Sequence, residues 1–350
     1  MEKCYICRKP FMKHHEKYFK LCTECGENNY KKKTEIKDLS GYTAIVTGAR
    51  IKIGYSTSLR LLRCGASVIA TTRFPYTALK KYSCEEDFYE WKDRLFICKL
   101  DLKKLNEMET FIKYIKESFG SIDIIINNAA QTVKKSREYY IELGKSEKLY
   151  EIETADKKLD NNVKLLDNNK FNRLEKRNSD ELINLEESYN SNSWTAKPEY
   201  ISMYEFMEVQ IINSTAPYFL ISRLKECFLK SSHRNRFIIN VSSIEGSFSE
   251  NKKSSRHIHT NMAKASLNML TKSLGKDLAK ENIFIYSVDP GWVSNQFPKD
   301  WNGVCDETFE APLTYEDAAG RICDPIFKHI NDEYVEEFGI ILKDYKKWEW

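Results

Sequence analysis

Thr43-Ala44-Ile45-Val46-Thr47-Gly48-Ala49-Arg50-Ile51-Lys52-Ile53-Gly54 passes from an apolar run into a glycine-bearing turn. Residues 43–48 read as a buried parallel strand, because the apolar positions are consecutive rather than alternating. Residues 54–65 read as a helix closed by Gly65. A glycine turn at such a junction lets backbone N–H groups approach a pyrophosphate at the helix N-terminus. Any tight turn there calls for glycine, so the ligand reading depends on where the turn stands in the wider pattern.

That pattern is an alternation of strands and helices. Residues 67–72, 95–102 and 122–127 read as further strands, and 106–119 as a helix ending at Gly120. Beyond a polar interval, 236–243, 283–291 and 338–345 read as strands, with a helix at about 260–280. Near-continuous Ile and Val runs separated by helices predict an α/β fold: a doubly wound, Rossmann-type, mostly parallel sheet covered on both faces. The chain divides into a small Cys- and Lys-rich module at 1–35 and a dinucleotide-binding domain at 38–350. The domain is interrupted at 145–198 by a segment dense in Lys, Glu, Asp and Asn. Its composition favours a solvated, largely disordered loop, a lid or a linker, over the alternative of a weak amphipathic helix through Leu159, Val163, Leu166 and Leu174.

The 350 residues are 41% hydrophobic and carry a formal net charge of +4. So mild a charge makes no electrostatic case for a nucleic-acid partner. No apolar run reaches the length of a membrane span, and the opening MEKCYICRKP lacks the apolar core of a secretion signal. A cytoplasmic, reducing location is expected, where clustered thiols act as metal ligands before they form disulfides. Cys4-x2-Cys7 and Cys22-x2-Cys25, fourteen residues apart, offer four thiolates to a tetrahedral Zn²⁺. Four protein ligands leave no open position, so the expected metal is structural and supplies the folding free energy of a module too short for a core. Lysines interleaved with Phe11, Tyr18, Phe19 and Tyr30 also suit a protein or RNA surface.

The turn resembles the TGxxxGxG of the short-chain dehydrogenase/reductase family, with Lys52 in place of the middle glycine. Other matches follow in the family's order. Asp101-Leu102 stands after the third strand, and Asn127-Asn128-Ala129-Ala130 is similar to the family's NNAG. Asn213, Ser243 and Lys264 stand at three of its four catalytic places, and Pro290-Gly291-Trp292-Val293-Ser294 is similar to PGxVxT. The resemblance spans about 38–345. It implies that Thr47, Gly48, Arg50, Lys52, Ile53 and Gly54 receive the pyrophosphate side of a dinucleotide, with Asp101, Leu102, Asn128 and Ala129 lining the cofactor. Pro290, Gly291 and Val293 would hold the nicotinamide amide. It further implies a carbonyl or alcohol substrate and a homo-dimer or homo-tetramer. Lys52 either pairs with the phosphates or obstructs them, and the length of its side chain favours pairing. At the end of the second strand, Thr71-Thr72-Arg73 offers no acid for a ribose 2′-OH, whereas Arg73 and Arg50 suit a 2′-phosphate. NADP(H) is therefore expected over NAD(H).

One departure concerns the chemistry. In the family Ser polarises the carbonyl, Tyr moves the proton, Lys holds the ribose and lowers the Tyr pKa, and Asn supports a relay. Here Thr260 stands four residues before Lys264, where Tyr is expected. An aliphatic hydroxyl lacks the phenol's reference pKa of about 10. Ser243 and Thr260 are seventeen residues apart, a longer gap than usual, and the added stretch carries His257 and His259. A histidine titrates near neutrality, so His257 or His259, oriented by Glu245, is a candidate substitute; the alternative is two loop histidines. Two other readings stand beside the reductase: an NADP-binding sensor or scaffold without turnover, and a platform for the zinc module. The region 296–312 offers no substrate signature beyond Trp301 and a few acids.

Overall fold

The computed structural model describes residues 2–133, 137–156, 164–166, 192–250, 253–294, 310–330 and 337–350. An N-terminal module contains two short hairpins, β1 (Glu2–Lys3) with β2 (Pro10–Phe11) and β3 (His14–His15) with β4 (Tyr18–Cys22), then helix α1 (Thr23–Thr34). The domain follows as β5 (Thr43–Thr47), α2 (Lys52–Arg63), β6 (Ser67–Thr72), α3 (Pro75–Tyr82), α4 (Phe88–Trp91), β7 (Leu95–Lys99), α5 (Leu105–Ser118) and β8 (Ile124–Asn127). After α6 (Arg137–Asp156) and β9 (Lys164–Leu166) come α7 (Met203–Gln210), a π-helical turn (Ile211–Thr215) and α8 (Ala216–Leu229). The chain closes with β10 (Arg236–Val241), α9 (Ile258–Ala279), β11 (Ile283–Asp289), α10 (Tyr315–Ile330), β12 (Ile340–Lys343) and β13 (Lys346–Trp348).

Nine strands form one sheet in the order β13-β12-β11-β10-β8-β5-β6-β7-β9. All pair in parallel except β12 with β13. The expected doubly wound sheet is thus present, and the continuous apolar strands are buried because helices cover both faces. On one face Leu59, Leu62, Tyr82, Trp91, Ile322 and Phe327 pack from α2, α3, α4 and α10. On the other, Phe111, Ile115, Leu220, Leu224 and Leu278 pack from α5, α8 and α9. The strand order reverses between β5 and β8, and a crevice at the carboxyl ends of such strands is where this architecture takes ligands.

Two expectations are revised at the edges. Residues 338–345 do not end the sheet as one strand: β12 turns back through Asp344 and Tyr345, both with positive φ, into antiparallel β13. The polar segment 145–198, expected as a loop, begins instead on α6, and residues 164–166 add β9 beside β7. A carboxylate explains the order at its start. Glu147 of α6 accepts the Tyr76 and Thr77 N–H groups at 2.6 and 2.8 Å, capping the first turn of α3 where an anion is favoured. Residues 157–163 and 167–191 of the segment lie outside the described residues.

The module is fastened to the domain by buried polar groups. Asp317 of α10 accepts Tyr18 Oη at 2.6 Å, Asn29 Nδ2 at 2.8 Å and its own turn's Thr314 N–H at 2.7 Å. One turn on, Arg321 donates to Asn29 Oδ1 at 2.7 Å and to Asp344 Oδ1 at 3.0 Å. Arg321 is 2% exposed, so its removal would leave the Asp344 carboxylate and the Asn29 amide oxygen without this partner. We expect Arg321→Met to cost about 3–5 kcal/mol, read as a lower denaturant midpoint for the whole chain.

Candidate active site

Gly48 and Gly54 bring the first strand-to-helix turn against the end of β8 with no room to spare. Gly48 has φ +69°, and a Cβ there would stand 2.9 Å from Ala129 Cα. A Cβ on Gly54 would overlap both Asn128 Nδ2 and the Gly48 carbonyl. Asn128 Nδ2 donates to the Thr47 carbonyl at 2.9 Å, and Thr47 Oγ1 accepts the Asn128 and Ala129 N–H groups at 3.0 and 2.9 Å. Lys52 keeps the left-handed backbone of the glycine it replaces, φ +57°, with its side chain exposed at the start of α2. Ile53 packs against the core. The donor-rich helix start is therefore open to an anion, and Lys52 adds charge beside it rather than filling the turn.

Arg50 and Arg73 both lie over the Phe74 ring, 5.5 and 5.6 Å from its centroid. Arg73 also sits 5.1 Å from the centroid of Tyr140, so α6 reaches the end of β6. Asp101 is occupied locally: its Oδ1 accepts the Lys103 N–H at 3.1 Å, and Leu102 is in the core.

Asn213 lies in the π-helical turn, a local widening often found at functional sites. Its amide brackets Gln131, accepting the backbone N–H at 2.8 Å and donating to the carbonyl at 3.0 Å. Asn213 thereby fixes the loop that follows Asn128. Ser243 Oγ accepts the Glu245 N–H at 3.2 Å, and the neighbouring Ile244 N–H goes to Asp289 Oδ2 at 2.8 Å. A Cβ on Gly246 would lie 2.5 Å from the Lys264 carbonyl carbon, so the turn carrying Ser243 rests directly on the helix carrying Lys264. Lys264 Nζ donates to the Val241 carbonyl at 2.8 Å. Burial lowers its ammonium to about 8, against the raising pull of Asp289.

Thr260 is one turn before Lys264 on α9, on the same face. It is 3% exposed, and its Oγ1 is a buried oxygen without a protein hydrogen bond among the described residues. The two histidines have different surroundings. His257 precedes α9 with φ +42°, so it does not share the helical face of Thr260. Its ring stacks on Trp194 at 4.0 Å, with Nδ1 3.1 Å from the Trp194 carbonyl and Nε2 3.7 Å from Glu245. His259 is buried toward α7, beside an apolar cavity of about 360 Å³ lined by Met203, Phe206 and Ile258. Burial, helped by the charge of His257, lowers its imidazole to about 4.

Pro290, Gly291 and Val293 form the loop leaving β11. Gly291 has φ +83° and donates its N–H to Asp289 Oδ1 at 2.7 Å. Val293 packs against the N-terminal module. There the four thiols converge: the sulfurs of Cys4, Cys7, Cys22 and Cys25 all lie within 4.8 Å of one another, with Cys7 and Cys22 at 3.9 Å. Thiolates on a tetrahedral zinc stand about 3.8 Å apart, given bonds of about 2.3 Å, so the cluster fits that ion. Burial and the adjoining thiols raise the Cys25 thiol, while at Cys4 burial is outweighed by the Cys22, Cys7 and Ile6 N–H groups, which lower it to about 7.

Asp289, Gly246, Gln131 and Tyr5 are structural members of the site that the sequence reading passes over. Gln131 and Asp289 carried a local signal, their places directly after Ala130 and directly before Pro290. The others matter through contacts distant in sequence.

A short chain dehydrogenase family model matches residues 42–154, and an enoyl-(acyl carrier protein) reductase model matches residues 189–325. The uncharacterized protein R665 of Acanthamoeba polyphaga mimivirus is 32% identical over 345 residues, covering 93% of this chain and 71% of that one. The 3beta-hydroxysteroid dehydrogenase 2 of Eggerthella lenta is 34% identical over 93 residues, only 26% of this chain and 34% of its own length. Among solved structures, the NADPH-bound carbonyl reductase from chicken fatty liver superposes with a TM-score of 0.59 at 18% identity, over 89% of this chain and 100% of that one. At that identity the likeness is one of fold. Together the two family models cover the strands and helices that carry the crevice, and the chain belongs to the short-chain dehydrogenase/reductase family.

Proposed function

We propose that this chain is an NADP(H)-dependent oxidoreductase acting on a carbonyl or alcohol substrate, with Lys264 and Thr260 together moving the proton. The observation that carries the reading is Thr260 Oγ1, buried and unpaired one turn from a lysine lowered to about 8. Bound NADPH would supply the hydride. Ser243 then holds the carbonyl oxygen, and the Thr260 hydroxyl passes it a proton replaced from the Lys264 ammonium. A buried lysine titrating near 8 is a competent acid where an aliphatic hydroxyl alone is not. His257 is committed to Glu245 and Trp194, and His259 faces an apolar cavity, so neither is the preferred donor. The NADPH-bound state of the chicken carbonyl reductase supports the cofactor, as does the acid-free end of β6 with its two arginines. The cysteine cluster supports a structural Zn²⁺.

Titration of the zinc-replete protein should show NADPH binding about 10- to 100-fold tighter than NADH, the range for a charged hydrogen bond. Arg73→Ala should remove most of that difference; equal affinities in the parent chain would remove the case for NADP(H).

A general acid must be protonated to act. Reduction should therefore hold steady below pH 8 and fall as pH rises through it, measured as kcat against pH. Thr260→Val should lower kcat at least about 100-fold, while His257→Ala and His259→Ala keep most of it. Cofactor binding without turnover on any carbonyl would leave the sensor reading instead.

Metal analysis should find one zinc per chain, reduced in Cys25→Ser. A zinc-free chain with an intact module would rule the ion out.

A further inference from the structure

The metal module is more than an appendage, because it touches the loop that the nicotinamide end of the cofactor would meet. Tyr5 lies inside the first Cys-x2-Cys. Its backbone N–H bonds to the Lys20 carbonyl at 2.9 Å, tying the first knuckle to the strand that leads into Cys22. Its Oη accepts the Trp292 N–H at 2.9 Å, across 287 residues of sequence. Gly291, next to Trp292, is so closely covered that a Cβ would lie 2.5 Å from Leu313 Cδ1 and 3.7 Å from Tyr5 Oη. Val293 and Leu313 pack into one apolar cluster with Cys4, Tyr18 and Leu21, which also touches Cys7, Cys22 and Cys25. The loop 290–294 is therefore held from two sides. Asp289 grips Gly291 from the side of Ser243, since its other oxygen takes the Ile244 N–H. Tyr5 grips Trp292 from the side of the cysteines.

We infer that the metal-bound cysteine knuckle is a positioning element of the reductase site: the metal sets Tyr5, and Tyr5 sets the shape of the loop 290–294 that receives the nicotinamide. Tyr5 is a positioning residue and touches no reacting atom. The inference rests on the reading of this domain as an NADP(H) site and of the cysteines as zinc ligands. Its physical basis is that a loop with a left-handed glycine holds one shape only when surrounding contacts over-determine it. A module this small has too little apolar core to hold Tyr5 in place by itself.

The test uses the full zinc-replete chain and Tyr5→Phe, which keeps the ring and removes the acceptor. Two ligands are titrated, NADPH and adenosine 2′,5′-bisphosphate, which lacks the nicotinamide, and zinc is measured in both proteins. The expected result is unchanged zinc, NADPH binding weakened about 3- to 10-fold, as for the loss of one neutral hydrogen bond, and unchanged bisphosphate binding. The KM for NADPH should rise with it. After chelation, both proteins should bind NADPH equally weakly, because the hydroxyl no longer has a fixed place. Overturning results are NADPH affinity unchanged in Tyr5→Phe with zinc retained, equal weakening of both ligands, or an effect of Tyr5→Phe that is the same with and without zinc. A parent chain that binds neither ligand would instead defeat the cofactor reading, and this inference with it. The two failures are therefore distinguishable.

Discussion

Nothing larger than hydrogen fits where Gly48 and Gly54 meet Asn128 and Ala129. This close approach locks the start of α2 to the end of β8, the two elements on either side of the point where strand order reverses. The two glycines leave room at that junction for the Asn128 side chain and for Ala129. The same device recurs across the crevice, where Gly246 lets the Ser243 turn rest on the backbone of Lys264. Three glycines thus set the spacing between the phosphate-binding turn, the serine and the lysine. Lys52 respects the constraint by adopting the glycine conformation, at a cost of about 1 kcal/mol, and by directing its charge outward.

Within that frame the proposed proton chemistry would follow from burial. Lys264 is buried and donates to the Val241 carbonyl, and burial lowers its ammonium to about 8. In the usual arrangement a phenol would draw on that field. Here Thr260 is buried one turn before Lys264, and the proposed reading gives the lysine the proton. The two histidines, attractive in sequence, are diverted by their surroundings: one by a stacked tryptophan and a carboxylate, the other by an apolar pocket.

The module and the domain share one polar core. Asp317, Arg321 and Asn29 interlock through bonds that neither part can satisfy alone. That interlock brings the cysteine cluster beside the loop 290–294.

The strands were legible because burial on both faces demands unbroken Ile and Val, and the helices because Gly65 and Gly120 mark where they stop. The cysteine quartet was legible because tetrahedral coordination imposes a spacing. The sequence by itself therefore determined the fold class, the order of the motifs and the metal-binding pattern. Helix α10 was not legible: Asp317, Arg321 and Asp324 fall on its buried side and break the apolar period, and their partners lie far away in the chain. The order of α6 was hidden too, since it depends on Glu147 finding the free N–H groups of α3. Only the tertiary structure decided where the histidines turn and that Tyr5 reaches Trp292. Each of these depends on a contact between distant segments, and local sequence carries no record of such a contact.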